Sequence, residues 1–175
     1  MAVVDETAAQ SARRSAHWAV FASLAAAIVV TDQLTKAWLV AHLAPRQVVD
    51  VFGDVVRLVF SQNSGALFGL FHDQALLFGL VSIGVVGLIV AYHGHSPRSL
   101  YLSIALGLLL GGALGNMIDR LRLGYVVDFV DLGFGNLRWY TFNVADAAIS
   151  AAIVLLVAVA IVPGLARIVD RSADG

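Results

Sequence analysis

The sequence predicts an all-α integral membrane protein with four transmembrane helices, a small extracytoplasmic β ribbon and an interfacial segment between helices three and four. Hydrophobic residues make up 59% of the 175 positions and charged residues only 13%, whereas about 25% of the residues in a soluble domain are charged. The chain also contains four apolar windows of the ~20 residues that a helix needs to cross a bilayer. Short polar segments separate these windows. A chain of this length therefore has room for one domain.

The first window runs from Trp18 to Leu43. Ala25-Ala26-Ala27 is similar to a signal-peptide cleavage site, but the apolar run continues past it, which favours a retained membrane helix. Residues 1–16 are polar, and we interpret them as a disordered cytoplasmic tail. Residues 17–168 then form the membrane-embedded domain, and residues 169–175 form a second cytoplasmic tail.

Val- and Phe-rich segments flank Phe52-Gly53-Asp54, a pattern that predicts two short strands and a tight turn between Arg46 and Gln62. The segment 122–141 is too polar to cross lipid, so we place it at the membrane interface. The remaining spanning helices are predicted at Gln74–Tyr92, closed by a loop from His93 to Arg98, at Leu100–Leu121, and at Phe142–Val162, stopped by Pro163-Gly164.

The overall charge excludes some classes of function. A net charge of -1 without a long Lys/Arg run provides no electrostatic footprint for nucleic acid. The chain has no cysteine, which excludes a thiolate nucleophile and a disulfide.

The orientation in the membrane does not follow from charge alone. The numbers of Lys and Arg residues on the two sides of the membrane are similar, so the positive-inside rule does not decide. Several of the basic residues on the side opposite to the termini belong to a cluster of polar residues at the helix ends. We therefore discount these residues and expect both termini in the cytoplasm.

Polar side chains gather at one end of the predicted helices. They are Asp32 and Lys36 in the later half of helix one, Asn116, Asp119 and Arg120 at the end of helix three, and Asn143 and Asp146 at the start of helix four. Because neighbouring helices alternate in direction, all of these lie at one membrane face. Ionisable groups in a bilayer cost at least ~2.5 kcal/mol each, so this cluster predicts a functional site.

Each pair also has a purely structural interpretation. Asp32 and Lys36 stand four residues apart and can form an ion pair on one helix face. Asn143 and Asp146 have the spacing of a capping pair at a helix start. The polar end of helix three can simply hold that helix to its neighbours. A stripe of glycines every four residues on helix three favours close helix packing, and its members are Gly107, Gly111 and Gly115.

Several chemistries can use such a site. The five histidines are scattered and form no H-E-x-x-H pair, which makes a His-based metal site improbable. Lys36 activating Ser61 or Ser64 is an alternative nucleophile. A pair of carboxylates is favoured, because two carboxyls in a poorly solvated site share one proton and divide into a base and an acid. The candidates are Asp128, Asp131 and Asp146.

Two other classes of function stay open at this point. In a small ion-coupled transporter, Asp32, Asp119 and Asp146 would form a proton or cation relay, although the helices offer no polar path beyond the cluster. A lipid head-group transferase would use Mg²⁺ bound by aspartates.

Five strings of the sequence together resemble the bacterial lipoprotein signal peptidase family, also called signal peptidase II, and they come in that family's order. They are Thr31-Asp32-Gln33-Leu34-Thr35-Lys36, Asn63-Ser64-Gly65-Ala66-Leu67-Phe68-Gly69, Gly111-Gly112-Ala113-Leu114-Gly115-Asn116-Met117-Ile118-Asp119-Arg120, Val126-Val127-Asp128-Phe129 and Phe142-Asn143-Val144-Ala145-Asp146. The chain departs from the family pattern in its longer amino-terminal tail and in Tyr140, where proline is frequent.

The resemblance implies a metal-free aspartic endopeptidase of the bacterial plasma (inner) membrane, without a cofactor, whose active site faces the extracytoplasmic side. Such an enzyme removes the signal peptide from prolipoproteins by cutting just before a cysteine that carries diacylglycerol. Membrane lipids and globomycin-type inhibitors are the other partners that the resemblance implies.

The resemblance also assigns residues to roles. It implies that Asp128 and Asp146 are catalytic, while Asp131 lies outside the matched strings. The positions that line the substrate site are Asn63, Asn116, Arg120 and Asn143. Asp32 and Lys36 match supporting polar positions, and we group Asp119 with them.

Overall fold

The computed structural model describes residues 2–44, 47–64, 74–96, 99–162, 164–165 and 170. Within them the chain forms four helices and four strands. The helices are α1 (Ala2–His42), α2 (Ala75–His95), α3 (Leu100–Leu123) and α4 (Val144–Ile161), and the strands are β1 (Val48–Phe52), β2 (Val56–Asn63), β3 (Val126–Phe134) and β4 (Leu137–Arg138). All four helices are long and apolar enough to cross a membrane, as predicted.

The first helix begins at Ala2, ahead of the predicted start near Trp18. Residues 2–16 are therefore helical in the structure, where we predicted a disordered tail. This segment contains five Ala and two Arg, which are strong helix formers, and extending an existing helix avoids the cost of a new nucleus. The division into a membrane-embedded domain and cytoplasmic tails stays a prediction, and residues 171–175 lie outside the described residues.

Helix α3 lies at the centre of the bundle and contacts the other three helices. Its glycine stripe faces α1, where a Cβ atom on Gly111 would lie 2.7 Å from the Cβ of Ile28. Gly112 faces α4 instead, and a Cβ there would lie 2.5 Å from the carbonyl oxygen of Ala145. The predicted role of the stripe in close helix packing is confirmed, and a second glycine contact holds α4.

The outer faces of the helices carry large apolar side chains. Leu34, Leu88 and Val154 are mostly exposed. In water, apolar surface of this extent would drive association, whereas in a bilayer it meets lipid tails of the same polarity.

The four strands form one antiparallel sheet in the order β1-β2-β3-β4. The predicted two-stranded ribbon is present as β1 and β2, but it is only half of the sheet. Residues 122–141, which we predicted only as an interfacial segment, supply β3 and β4. The run Val126–Val130 is rich in β-branched and aromatic residues, which favour strands, and its pairing with β2 is long-range, so a local window does not reveal it.

The sheet rests on the polar end of the helix bundle. Leu39 and Leu43 at the end of α1 form a buried cluster with Val127 and Phe129 of β3. A second apolar cluster fills the other half of the bundle, where Phe21 packs among side chains of α2 and α3. The sheet is therefore anchored beside the polar residues that the sequence placed at one face.

Helix ends differ from the predicted ones by a few residues. His93 and His95 belong to α2 and not to a loop. Helix α3 continues to Leu123 and ends at Gly124, whose φ of 78° is a left-handed conformation that glycine adopts without strain. The described residues do not include Pro97 and Arg98 of the predicted loop, Pro163 of the predicted stop signal, or Arg167 after it.

The close approach of α3 and α4 can be tested with Gly112→Val. The new side chain would displace the backbone of α4, and overpacking of this kind costs about 1–3 kcal/mol. We expect a lower unfolding temperature in detergent micelles. Gly87→Val is the matched control, because a Cβ at Gly87 has no atom within 4 Å. Equal unfolding temperatures for the two variants would contradict the packing described here.

Candidate active site

A buried lysine organises the polar end of the bundle. Lys36 is 3% exposed, and its Nζ lies 2.7 Å from Asp32 Oδ2 and 2.9 Å from Asp119 Oδ2. The same nitrogen donates to Asn116 Oδ1 at 3.2 Å. An ammonium group has three protons to donate, so these three partners use all of them. The predicted Asp32–Lys36 ion pair is present, as one part of a larger network.

Asp32 connects α1 to the start of α4. Its Oδ1 accepts a hydrogen bond from the backbone N–H of Ala145 at 2.9 Å, one of the helix-start amides that lack a partner within α4. A carboxylate there also interacts favourably with the positive end of the helix dipole. This contact fixes the position of α4 relative to α1.

Asp119 connects α3 to the sheet. Its Oδ2 accepts from the backbone N–H of Val127 at 3.1 Å, immediately before Asp128. Gln33 donates to Asp119 Oδ1 at 2.9 Å and covers the ion pairs from the α1 side. The position of β3 therefore depends on the same carboxylate that binds Lys36.

Asp128 projects from β3 into this polar cluster and is 1% exposed. Its Oδ1 accepts from Asn143 Nδ2 at 2.7 Å, and its Oδ2 accepts from Asn63 Nδ2 at 3.1 Å. The two amides come from opposite sides, one from β2 and one from the start of α4. They hold the carboxyl plane in one orientation.

Asp146 lies in the first turn of α4 and is partly exposed. Its Oδ1 accepts from Asn116 Nδ2 at 2.7 Å, while its Oδ2 accepts from the backbone N–H of Asn143. Asn143 Oδ1 accepts in turn from the N–H of Asp146 at 2.9 Å, which completes a capping box. The predicted capping pair is thus confirmed, and the same residues belong to the polar cluster.

Asn143 is the residue that joins the two aspartates. Its Nδ2 binds Asp128 and also donates to Asn116 Oδ1 at 3.2 Å, while its backbone binds Asp146. One fully buried residue therefore binds both carboxyl groups, that of Asp128 through its side chain and that of Asp146 through its backbone.

The environment of Asp128 disfavours the ionised form of its carboxyl group. Burial, followed by the neighbouring carboxylate of Asp146, raises the pKa of Asp128 from 3.8 to about 6. Hydrogen bonds from Asn63 and Asn143 and the charge of Lys36 oppose this rise. Asp128 is therefore protonated in a pH range in which an ordinary aspartate is fully ionised.

Arg120 lies beside the aspartate pair. Its charge acts on Asp146, Asp128 and Asp119, and its guanidinium lies 6.0 Å from the ring centroid of Phe78. The buried Nε of Arg120 has no hydrogen-bond partner among the described residues.

Two alternatives that the sequence left open involve side chains with other partners. Asp131 is on the same strand as Asp128, but its carboxylate accepts hydrogen bonds from Arg138, with Nη2 to Oδ2 at 2.8 Å. That pair stabilises the β3–β4 hairpin. Lys36 is fully engaged by its carboxylate and amide partners, so it is not available to activate Ser61 or Ser64.

Two residues of this site had no predicted role of their own. Gln33 was named only as part of a motif. Its position directly after Asp32 was the sequence signal that could have identified it as a site residue. Gly115 was assigned to the packing stripe, yet a Cβ there would lie 2.7 Å from Asp32 Oδ2. This glycine therefore also makes space for the Asp32 carboxylate.

Comparison with known proteins identifies the family. A sequence model of the family described as "Signal peptidase (SPase) II" matches residues 24–162, which include every residue of the cluster. The chain belongs to the signal peptidase II family. Its members are proteases that process prolipoproteins, so the resemblance, the enzyme class and the function predicted from the sequence are confirmed.

Individual relatives agree with this assignment to signal peptidase II. The lipoprotein signal peptidase of Streptococcus agalactiae serotype V is 42% identical over 130 residues, which cover 74% of this chain and 83% of that protein. That of Syntrophomonas wolfei is 37% identical over 137 residues, with coverages of 78% and 89%.

Two solved structures with a similar fold are described as bacterial membrane enzymes. The first superposes with a TM-score of 0.75 and 25% identity, covering 84% of this chain and 90% of that one. The second has a TM-score of 0.72 and 27% identity, covering 81% and 92%. Both support a multi-pass membrane protein.

The raised pKa of Asp128 predicts a pH dependence of stability. The carboxyl group binds its proton more tightly in the folded chain than in the unfolded one, so folded-state stability falls as the pH rises from about 4 to about 6. Asp128→Asn removes this ionisation. We expect the unfolding temperature of the variant relative to the parent to rise between about pH 4 and about pH 8.

The full effect amounts to about 3 kcal/mol, because each pKa unit corresponds to about 1.4 kcal/mol. Thermal unfolding of both proteins in detergent micelles at the two pH values measures it. A difference between variant and parent that does not change with pH would show that Asp128 ionises like an ordinary aspartate.

Proposed function

We propose that Asp128 and Asp146 are the catalytic pair of this signal peptidase II and share one proton. The observation that carries the proposal is the double contact of Asn143, which binds the carboxyl group of Asp128 through its side chain and that of Asp146 through its backbone. Two carboxyls held by one residue in a desolvated site do not both ionise easily. The arrangement thus supplies a base and an acid together.

In the proposed reaction the ionised carboxylate takes a proton from a water molecule while the oxygen of that water attacks the scissile carbonyl carbon. The protonated carboxyl donates its proton to the carbonyl oxygen, which forms a neutral tetrahedral intermediate. Collapse of this intermediate breaks the C–N bond. One carboxyl proton passes to the leaving nitrogen, and a hydroxyl proton of the intermediate returns to the ionised carboxylate as the new carboxyl product forms. The pair ends the cycle with one proton, as it began.

The surrounding polar side chains are proposed to bind the substrate backbone. Arg120 has its buried Nε at the edge of the pair, and Asn63 approaches Asp128 from the sheet side. Asn116 and Asn143 also orient the two carboxyl groups. The buried network of Lys36, Asp32 and Asp119 supports this arrangement from behind and does not contact the peptide.

The proposed substrates are prolipoproteins that carry a diacylglyceryl-cysteine, cut just before that cysteine. The site lies where the helices meet the sheet, and the helix faces beside it are apolar. A peptide tethered to lipid can then place its scissile bond at the pair while its acyl chains stay in the bilayer. Globomycin-type inhibitors are proposed to occupy the same site.

We further propose a bacterial plasma (inner) membrane location with both termini in the cytoplasm. The polar cluster and the sheet then lie at the extracytoplasmic face, where the exposed Trp139 and Tyr140 suit the headgroup region.

Asp128→Asn and Asp146→Asn are each expected to abolish cleavage, because either change removes one partner of the shared-proton pair. The measurement is processing of a diacylglyceryl-modified prolipoprotein by purified full-length protein. Asp131→Asn is the matched control on the same strand. Its carboxylate binds Arg138 and does not reach the pair, so the folded variant should cleave.

Ser64→Ala is the control for a serine nucleophile and should also cleave. Turnover near the parental rate in either Asn variant of the pair would refute the catalytic assignment.

Cleavage is also expected to persist in excess chelator. Among the described residues, no group of three or more His, Cys, Asp or Glu side chains is placed to hold a metal ion, and the aspartate pair needs only water. Assaying the same substrate with and without chelator tests this. Loss of cleavage on chelation, restored by added Mg²⁺, would favour a metal-dependent mechanism instead.

A further inference from the structure

A polar cavity lies at the end of the bundle opposite to the aspartate pair. Its volume is about 170 Å³, compared with the roughly 10–15 Å³ that one water molecule needs. The side chains that matter most here come from α1, the end of α2 and the start of α3: Arg14, His17, Trp18, His93, Ser99 and Ser103. None of them belongs to the active-site cluster, which lies at the other end of α3.

His93 is held rigidly at this cavity and is only 9% exposed. Its ring stacks on Phe21 with 4.1 Å between centroids, and Trp18 packs edge-on against it at 4.6 Å. Its buried Nδ1 has no hydrogen-bond partner in the described part of the chain, and the same is true of Nδ1 of His17. A buried polar atom without a partner costs about 1–3 kcal/mol, so a polar group bound in the cavity, water included, would stabilise both imidazoles.

The hydrogen bonds of His93 indicate which chemical class of ligand the cavity would bind. Ser103 Oγ donates to the carbonyl oxygen of Ser99 at 2.9 Å, so it accepts the Nε2–H of His93 at 3.1 Å. With Nε2 as the donor, Nδ1 becomes a second donor when the ring is protonated. A negatively charged oxygen in the cavity stabilises that protonated form.

One permanently charged side chain lines the cavity among the described residues, and it is a cation. Arg14 lines it and forms no ion pair with any described residue, and His17 adds a second imidazole from α1. The carboxylate nearby is that of Asp170, whose Oδ1 accepts from Ser99 Oγ and from the backbone N–H of Leu100. Asp170 is therefore already bound at the start of α3.

We propose that this cavity is a binding site for a phosphate-type oxyanion, with Arg14 and the protonated His93 as its donors. Arginine recognises phosphate oxygens with its planar fork of N–H groups. The cavity lies where α1, α2 and α3 reach a membrane surface, which is the level of lipid phosphates. The oxyanion is supplied either by a lipid headgroup or by free phosphate.

The test uses the full-length protein in a maltoside detergent, which contains no phosphate. Inorganic phosphate and short-chain phosphatidylglycerol are titrated separately by calorimetry, and ¹⁵N spectra of the imidazoles are recorded. We expect binding of at least one probe, with a ¹⁵N shift of His93 Nδ1 that reports proton uptake. Binding of phosphatidylglycerol alone identifies a lipid headgroup, and competition by inorganic phosphate identifies a site open to free phosphate.

Arg14→Gln is expected to weaken binding about tenfold, because it removes a charge-assisted hydrogen bond. Arg13→Gln is the matched control, since it removes the same charge from the next residue, which does not line the cavity. Equal weakening in both variants would show general charge attraction. That result, or an unchanged His93 signal with both probes, would overturn the proposal.

Discussion

The rest of the structure depends on one buried positive charge, the ammonium group of Lys36. It binds Asp32 on its own helix and Asp119 on α3. Asp32 in turn holds an amide in the first turn of α4, and Asp119 holds the backbone of β3. Removing one partner of a buried ion pair typically costs about 3–5 kcal/mol. The ion pairs thus determine where α4 and β3 begin, and these are the two elements that carry the aspartate pair.

The network also explains how so many polar groups are stable beside lipid. Each buried carboxylate accepts hydrogen bonds from an ammonium, an amide or a backbone N–H, which offsets the cost of desolvation. Asn116 connects Lys36 to Asp146, and Asn143 connects Asp128 to Asp146. The opposite half of the bundle instead packs apolar side chains around Phe21. The molecule therefore combines a conventional apolar core with a polar site at one end.

Much of the fold and of the site was predictable because the signals are local. Four apolar windows predicted four helices, and polar residues at alternating helix ends predicted one cluster. Motif order predicted the signal peptidase II family, which the comparisons confirm. The pairing of β3 with β2 was missed because Ser61 and Asp128 face each other across 67 positions of chain. The helical start at Ala2 was missed because polar composition was given more weight than helix propensity.

The sequence by itself determined that this is a membrane protein, how many spanning helices it has and which residue types lie at its polar end. Each of these follows from the order of apolar and polar residues. Tertiary structure decided which of these residues act together. Asp128 and Asp131 are three positions apart on one strand, and in the folded chain Asn143 binds the first while Arg138 binds the second. Hydrogen bonds depend on distance in space, and the packing of α1, α3 and α4 sets that distance.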